Sequence, residues 1–540
     1  MSDITPVDTT ERKDVSCDSG QETAEKSVNE SLIRELEGDT IHPGTFGTLT
    51  LNESADDEKS HQSTDDDALV YSPFSPMQKK IMVVTVSLCS MLSSFAATVF
   101  LPALRNVAED LDSSLSRINF TVSVFLIGNG IAPMVWGPIA DQFGRRFPYS
   151  VGSFIGAAAS VGCAVANSDS LLIAMRFFQS FGGSSTMVVG AGTISDIYEP
   201  HQRGSALGWY YSGQMLGPTL GTIIGGYVAE TLGWRWTFWL TAIIYGISFI
   251  VLTFIQPETM RVAVARKRKM PLKGLPPGIH LQPRLKFDIR RVKPFEMMPT
   301  LKLPYVWIPT VGTSLLIGAY YSISIAISIL LSRDYGYSPS TIGLCFIAFG
   351  GGNVFGATIG GSMADYTFVR KCRQLKSVPE ENRVPSTKEA DDQSFHDSRD
   401  LPFERRFDFN LFTFTLFPMS LIAYGWLMQY KVHIVFPLIL EFICGFCSVA
   451  TFGTFTTYLV DLFTARSSSI TSLTNLFRCL YGAVWTGILN IVMQRMGTGW
   501  TFTFMGFTVF IGTALLVTLY RKGASWRQKY PPHEFTPQVR

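Results

Sequence analysis

Long apolar runs separated by short polar breaks dominate this chain. Twelve runs reach about 20 residues, the length of a helix that crosses a bilayer, and they are continuously apolar where a barrel strand would alternate. The pattern predicts an all-α polytopic membrane protein, with twelve transmembrane helices in two bundles of six. The predicted spans are 81–104, 117–139, 148–167, 170–193, 204–228 and 235–255 in the first half, and 304–331, 339–362, 409–430, 434–460, 468–492 and 499–520 in the second.

The polar stretches divide the chain into five parts. The first 75 residues are acidic and poor in aromatics, a composition that predicts disorder. The predicted parts are a disordered tail over 1–75, a six-helix bundle over 76–255, a basic linker over 256–303, a second six-helix bundle over 304–525 with a cytosolic loop over 364–408, and a C-terminal tail over 526–540.

Charge follows the same division. Charged residues are only 16% of the chain, against about 25% in soluble proteins, and they are concentrated in the tails and connections. Lys and Arg cluster in alternate connections, for example at 145–146, 266–269 and 370–373. Because basic loops stay on the cytosolic side of a membrane, we expect both termini in the cytosol.

The sequence contains none of the motifs that are typical of soluble enzymes. There is no Gly-x-x-x-x-Gly-Lys-Ser/Thr phosphate loop, the seven His residues have no metal-ligand spacing, and no nucleophile elbow is present. We therefore expect no enzyme, no metal site and no cofactor. Any energy that the protein uses must come from an ion gradient or from the gradient of its substrate.

A charged loop between the second and third predicted spans is the most concentrated polar feature. It reads Gly137-Pro-Ile-Ala-Asp141-Gln-Phe-Gly144-Arg145-Arg146. An acid, a turn glycine and two arginines in so short a break must lie at a membrane surface. A weaker copy, Gly361-Ser-Met-Ala-Asp365, stands at the matching place in the second half and indicates a duplicated chain.

The fifth predicted span carries a stripe of glycines. Residues four apart drift by only about 40° around a helix, so the stripe stays on nearly one face and lets a second helix approach closely. A proline within the stripe is expected to bend the helix. The alternatives are a helix that moves against its neighbour and plain packing. The stripe residues are Gly213, Gly217, Pro218, Gly221, Gly225 and Gly226.

Four polar residues lie deep inside predicted spans. Arg176 and Gln179 share a face of the fourth span, and an arginine there needs an anion or a wet cavity. Glu441 in the tenth span and Arg478 in the eleventh are a possible buried ion pair, which can be purely structural. Glu441 is the leading candidate for a proton carrier, since desolvation raises the pKa of a carboxyl group.

Aromatic residues inside the spans are candidates for a substrate cavity. As a set they permit stacking on flat or cationic organic molecules, while each one alone is equally explained by packing. The candidates are Tyr211, Tyr320, Tyr321 and Trp485.

These motifs resemble those of the major facilitator superfamily. The loop 137–146 resembles the signature between its second and third spans, with Gln142 in place of the usual basic residue. The stripe 213–226 resembles the signature of its drug:proton antiporters. Arg176-Phe-Phe-Gln179 resembles a fourth-span signature implicated in proton transfer. The sequences around Asp461 and Arg478 look similar to fungal quinidine-resistance-type multidrug transporters.

The resemblance implies a transporter with two bundles that alternately open one cavity. It also implies a cytosolic gate, in which Asp141 and the two arginines latch the bundles. The implied gate residues are Gly137, Asp141, Gly144, Arg145, Arg146 and Asp365. The first span contains no acid, so the proton carrier is not where some bacterial relatives have it.

The sequence therefore predicts a multi-pass plasma-membrane antiporter that exports drugs, xenobiotics or metabolites in exchange for protons. We expect partners to be a small-molecule substrate, protons and lipid, with no nucleic acid and a monomeric state. One alternative is a dedicated exporter of a single organic acid, polyamine or secondary metabolite. Another is a nutrient sensor that does not transport, a class that usually carries long cytosolic extensions such as the tail here.

Overall fold

The structure, a computed structural model, describes residues 71–199, 203–269, 298–376, 403–463 and 467–530. Most of the predicted tail over 1–75, the middle of the linker, part of the loop over 364–408 and the last ten residues lie outside the described residues. Within the described residues the chain is helical and contains no strands, as the apolar pattern predicts.

Six long helices form the first bundle. A serine begins several of them by accepting a hydrogen bond from a first-turn backbone N–H. At the first helix, Ser75 and Gln78 form a reciprocal capping box. The helices are α1 Pro76–Thr98, α2 Leu115–Phe143, α3 Arg146–Ala164, α4 Asp169–Ile197, α5 Arg203–Thr231 and α6 Trp234–Ile250, which continues as a π-helical turn over Val251–Ile255.

Six further long helices form the second bundle, α7 Pro304–Asp334, α8 Pro339–Lys376, α9 Asp408–Gln429, α10 Val435–Leu462, α11 Ser467–Met496 and α12 Thr498–Lys529. The described residues thus hold twelve long helices that match the twelve predicted spans. Shorter helical pieces connect them, namely Leu101–Ala103, Leu104–Asp110, Arg261–Arg268, Met298–Lys302 and Phe403–Phe407.

Ten of the helices in the described part of the chain are long and apolar enough to cross a membrane by length and composition alone. The two others are α4 and α5. Both contain many glycine, serine and threonine residues, which lower the hydropathy of their apolar stretches. They are the helices that carry the buried arginine and the glycine stripe.

The polar loop in the second half is shorter than predicted. Helix α8 continues to Lys376, twelve residues beyond position 364, where the predicted loop begins. In the first half, Gly144 has a positive φ and ends α2 three residues after Asp141. In the second half, Tyr366 and Thr367 follow Asp365, and neither residue breaks a helix. The segment Gly361–Asp365 is therefore part of a helix and does not form a loop.

The two bundles meet through two helix pairs, α2 with α11 and α5 with α8. We call the end of the bundles that carries Phe143–Arg146 the loop face, and the end that carries Leu232 and Gly233 the far face. Helices alternate in direction, so α10 begins at the far face and α11 at the loop face. Between the bundles and within them lies one large apolar core of phenylalanine, leucine and isoleucine side chains.

Candidate functional site

The loop between α2 and α3 begins at Gly144. Its φ of 90° is a conformation that residues with a Cβ rarely adopt. The turn places the Arg145 guanidinium 2.8 Å from Asp196 at the end of α4 and 2.7 Å from Asp141 at the end of α2. The Arg145 and Asp196 side chains are 15% and 14% exposed, whereas Asp141 is 59% exposed. Arg145 therefore fixes α2, α3 and α4 to one another.

Glu258, just beyond α6, holds the start of α3. Its two carboxylate oxygens accept hydrogen bonds from the backbone N–H groups of Arg145 at 2.8 Å and Arg146 at 3.1 Å. First-turn N–H groups have no partner within their helix, so a carboxylate at this position is favourable. The Arg146 guanidinium donates to the carbonyl of Thr253 on α6.

All of these loop contacts lie within the first bundle. Gly137 belongs to the same arrangement, because a Cβ there would lie 3.8 Å from Val188 on α4. In this conformation the motif joins helices of one bundle, and its role as a latch between bundles stays a prediction. The backbone of Asp365 lies in α8, and its side chain lies outside the described residues.

The second bundle has its own ion pairs at the loop face, which the sequence motifs did not indicate. Arg406, just before α9, lies 3.0 Å from Asp461 at the end of α10. This pair joins the third and fourth helices of its bundle, as Arg145 and Asp196 do in the first. In the second bundle this pair is therefore the counterpart of Arg145 and Asp196. Nearby, Glu404 and Arg527 form a buried pair at 2.8 Å.

The glycine stripe of α5 packs against α1. A Cβ at Gly217 would lie 2.7 Å from the backbone oxygen of Met91, and one at Gly221 would lie 2.8 Å from that of Phe95. Such distances leave no room for a side chain, so the two backbones touch as the stripe predicts. Gly213 and Gly225 face α1 in the same way.

Two residues of the stripe region make further contacts, one with the second bundle and one with α1. Gly226 turns away from α1 and contacts Pro339, at the start of α8 in the second bundle. The carbonyl of Pro218 accepts a hydrogen bond of 3.0 Å from the Thr98 hydroxyl of α1. The stripe thus packs within one bundle along most of its length and reaches the other bundle only at the far face.

Arg176 on α4 is completely buried in an aromatic cage. Its guanidinium lies 4.3 Å from the ring centroids of both Phe100 and Phe125. It donates hydrogen bonds to the Ala96 carbonyl at 2.8 Å and to Gln179 at 2.6 Å. No carboxylate of the described residues pairs with it. Arg176 therefore fixes α4 to α1, Gln179 fixes α4 to α3 through a hydrogen bond of 2.8 Å to Ser160, and neither side chain faces open space.

Glu441 on α10 is 1% exposed, and one of its carboxyl oxygens has no hydrogen-bond partner. The hydroxyl of Tyr424 on α9 is its polar neighbour. The predicted pair with Arg478 does not form, and no Lys, Arg or His among the described residues lies within ion-pair distance of the carboxyl. The helical faces of α10 and α11 follow from the sequence, but their rotation towards each other does not, so the predicted pair was wrong.

Arg176 and Glu441 occupy corresponding positions. Each helix is the fourth in its bundle, and Arg176 is the eighth residue of Asp169–Ile197 while Glu441 is the seventh of Val435–Leu462. One bundle thus buries a cation and the other an acid at the same depth.

Arg478 lies in a polar chain that crosses between the bundles. Its guanidinium donates to the side-chain oxygen of Asn475, and the Asn475 amide nitrogen donates 2.9 Å to the backbone carbonyl of Asn129 on α2. The Asn129 side chain accepts a hydrogen bond of 2.7 Å from Ser184 on α4. The chain therefore links α4, α2 and α11 near the middle of the helices.

Two of the four candidate aromatic residues lie near this chain. Tyr320 and Tyr321 of α7 have ring centroids 5.5 Å apart, and Tyr320 accepts a hydrogen bond of 3.1 Å from Asn353 on α8. A Cβ at Gly482, one turn beyond Arg478, would lie 3.5 Å from the Tyr321 ring. Of the four candidates, Tyr321 thus lies closest to the polar chain in position along the bundle.

The other two candidates lie elsewhere. Trp485 is 7% exposed and packs against Phe504 at a centroid distance of 5.9 Å, so it belongs to the core between α11 and α12. Tyr211 on α5 is 41% exposed and contacts the ring of Tyr210 at 5.2 Å. The structure does not bring these two residues to the polar chain.

Hydrogen bonds between described residues of the two bundles lie between mid-helix and the far face. Besides Asn475, three connect the bundles. Ser123 bonds to Thr486 at 2.8 Å, Asn490 donates to Ser116 at 2.9 Å, and the backbone N–H of Ser340 donates to Glu230 at 2.9 Å. These contacts close the molecule at the far face, and no sequence motif indicated them.

Comparison with known proteins adds the family context. The model of the Major Facilitator Superfamily matches residues 86–486. The MFS-type transporter phiD of Fungal sp. (strain ATCC 74256) is 28% identical over 477 residues, 85% of this chain and 70% of the relative. The multidrug transporter AQR1 of Candida glabrata is 28% identical over 521 residues, 90% of this chain and 86% of the relative. Citrate exporter 1 of Aspergillus niger is 29% identical over 472 residues, 84% of this chain and 88% of the relative.

Proposed function

This chain belongs to the major facilitator superfamily, and on that premise we propose that it exports small organic compounds from the cell in exchange for protons. It is a multi-pass membrane transporter with a small-molecule substrate, and not an enzyme. The finer features proposed are proton antiport, the plasma membrane as location, a monomeric state and the absence of a cofactor.

Alternating access is supported by the position of the contacts between the bundles. The four hydrogen bonds that join described residues of the bundles hold the far face together. The Arg145 and Arg406 ion pairs at the loop face stay within single bundles. Rocking of the bundles would then break the far-face contacts and create new ones at the loop face. This observation carries the proposal.

We place the loop face in the cytosol. Arg145, Arg146 and the basic helix Arg261–Arg268 lie at this end of the bundles, and basic residues favour the cytosolic side. In this orientation the conformation is closed towards the outside.

Proton exchange is assigned to Glu441. A buried carboxyl without a cation partner is costly when ionised and is readily neutralised by a proton. Movement of α10 during rocking would expose the carboxyl to water and release the proton. Arg176 is not the carrier, because guanidinium groups stay protonated in proteins, and its role is to fix α4 to α1.

Export of xenobiotics is favoured by the likeness of the glycine stripe to antiporter sequences and by the multidrug transporter among the relatives. A dedicated exporter of one metabolite is the second candidate. The citrate exporter among the relatives supports it, as does the guanidinium of Arg478 in the polar chain that joins the bundles.

Uptake into proteoliposomes tests the proposal. The purified full-length chain is reconstituted, and a pH gradient is imposed with the interior acidic. Radiolabelled citrate, benzoate and tetraphenylphosphonium are supplied outside. We expect at least one compound to accumulate only while the gradient lasts. Uptake that is indifferent to the gradient for every transported compound would contradict proton antiport.

A further inference from the structure

Arg478 differs from the other deeply placed arginines of the described residues. Arg145, Arg406 and Arg527 each pair with a carboxylate within 3.0 Å. Arg176 has no carboxylate, but two carbonyls and an amide oxygen accept its hydrogen bonds and aromatic rings cover its faces. Arg478 has no carboxylate partner among the described residues, and its contacts are one amide oxygen and one aromatic ring.

The depth of Arg478 along its helix makes the absence of a carboxylate partner among the described residues significant. It lies eleven residues from the start of α11, about 16 Å along the helix. One of its nitrogens donates to Asn475, and the ring of Phe452 lies 4.5 Å from the guanidinium carbon. No Asp or Glu of the described residues lies within ion-pair distance. An intramembrane charge of this kind needs an anionic partner or a wet cavity, and the described residues supply no anion.

Arg478 lines a narrow cleft between α7, α10 and α11, on the loop-face side of mid-helix. The cleft has room for about one water-sized group, 10 Å³. It therefore suits the head group of a molecule and not a whole organic compound. The other lining residues are Thr313, Phe452, Phe455, Thr456, Leu459 and Thr474.

The threonines of the cleft define its polarity further. The hydroxyls of Thr313, Thr456 and Thr474 donate to carbonyls of their own helices. Their protons are therefore engaged, and Arg478 is the principal donor in the cleft. A planar guanidinium with free N–H groups matches the two oxygens of a carboxylate.

We propose that Arg478 binds the carboxylate of the transported compound, so that the substrates are organic carboxylates. The inference rests on the proposed transport function, and it specifies the substrate class. Binding also reaches the bundle interface. Asn475 accepts from Arg478 and donates to Asn129 of the first bundle, so a carboxylate that draws the guanidinium away from Asn475 alters a contact between the bundles.

Equilibrium binding to the purified full-length protein in detergent tests this proposal without any gradient. The probes are matched pairs, benzoate with benzamide and citrate with trimethyl citrate, and tetraphenylphosphonium as a cation. Binding is followed by the ligand-dependent shift of the melting temperature. We expect saturable stabilisation by a carboxylate and none by its neutral counterpart.

Variants assign the binding to the residue. Arg478→Gln should weaken carboxylate binding at least ten-fold. Arg478→Lys keeps the charge without the planar fork, and should give an intermediate affinity even if the Gln variant folds poorly. Arg495→Gln is the control, since Arg495 is an exposed arginine of the same helix. It should bind as the wild type does.

Three outcomes would overturn the proposal: no carboxylate binds the wild type, benzamide binds as well as benzoate, or Arg478→Lys binds with unchanged affinity. These outcomes are distinct from failure of the transport function. Gradient-driven uptake of tetraphenylphosphonium that survives in Arg478→Gln would leave proton antiport standing and remove the carboxylate site. Carboxylate binding without gradient-driven uptake would leave the carboxylate site standing and remove proton antiport.

Discussion

Asn475 on α11 donates a hydrogen bond of 2.9 Å to the backbone carbonyl of Asn129 on α2. Of the hydrogen bonds that join described residues of the two bundles, it lies farthest from the far face. The next residue, Gly130, packs against Cys479, and the contacts of α2 with α11 continue from there to Ser116 and Asn490. Asn475 thus marks the inner limit of the closed region, and the bundles would pivot near it.

Glu230 should control the closure of the far face. Its carboxylate accepts a hydrogen bond from the Ser340 N–H. Hydrogen bonds from Ser340 and Ser338 hold the pKa of Glu230 below its usual range. The contact is complete above the usual glutamate pKa of about 4.3 and is lost as the pH falls through the lowered value. We expect closure to be constant from pH 6 to 8 and to weaken only in stronger acid.

Glu230→Gln should open the far face at neutral pH, because the neutral amide is a poorer acceptor for a helix N-terminus. Spin labels at Leu232 and Val435 in a cysteine-free background would report a larger population of long distances. Glu109→Gln is the matched control, since Glu109 is an exposed acid near the same face that pairs with Arg105 of its own bundle. Identical distances in the wild type and Glu230→Gln would contradict the assignment.

The ion pair of Arg145 with Asp196 should contribute measurably to stability. The two side chains are largely buried, so the pair is weakly screened. A double-mutant cycle with Arg145→Gln and Asp196→Asn is expected to give a coupling energy of about 1–3 kcal/mol. Unfolding in mixed detergent micelles provides the free energies.

The exposed pair of Arg105 with Glu109 is the control for that cycle. Its side chains are 53% and 66% exposed, and such pairs contribute only about 0–1 kcal/mol. Equal coupling energies in the two cycles would show that burial of Arg145 and Asp196 adds nothing.

Gly217→Ala should destabilise the contact of α5 with α1. The new methyl group would lie 2.7 Å from the Met91 carbonyl, so the helices must separate. Overpacking of this kind costs about 1–3 kcal/mol, and the melting temperature of the purified protein should fall accordingly. Gly246→Ala on α6 is the matched control, because a Cβ there meets nothing within 4 Å. Equal melting temperatures for the two variants would show that the stripe is not a close contact.

The sequence predicted most of the fold because the bilayer fixes the length of each span. It also predicted the close approach of α5 to another helix, but not that α1 is the partner, since a stripe of glycines carries no information on what packs against it. Arg406 and Asp461 are 55 positions apart and belong to no compact motif, so their ion pair could not be predicted from the sequence. The copy at Gly361–Asp365 was visible, but without a glycine after Asp365 it remains helical.

The candidate site was predictable only in part. Arg176, Glu441 and Arg478 stood out because a charge inside an apolar span is costly wherever it lies. Their partners depend on the rotation of each helix, which the sequence does not specify. Arg176 therefore lies in a cage of aromatic rings and carbonyls, Glu441 lies beside Tyr424, and Arg478 donates a hydrogen bond to Asn475.

The most direct measurement compares Glu441→Gln with the wild type in two proteoliposome assays. One assay follows uptake driven by an imposed pH gradient, and the other follows exchange of labelled for unlabelled substrate without a gradient. We expect Glu441→Gln to lose the gradient-driven uptake and to retain the exchange, because the neutral amide permits rocking but carries no proton. Gradient-driven uptake equal to that of the wild type would contradict the assignment of Glu441 as the proton carrier.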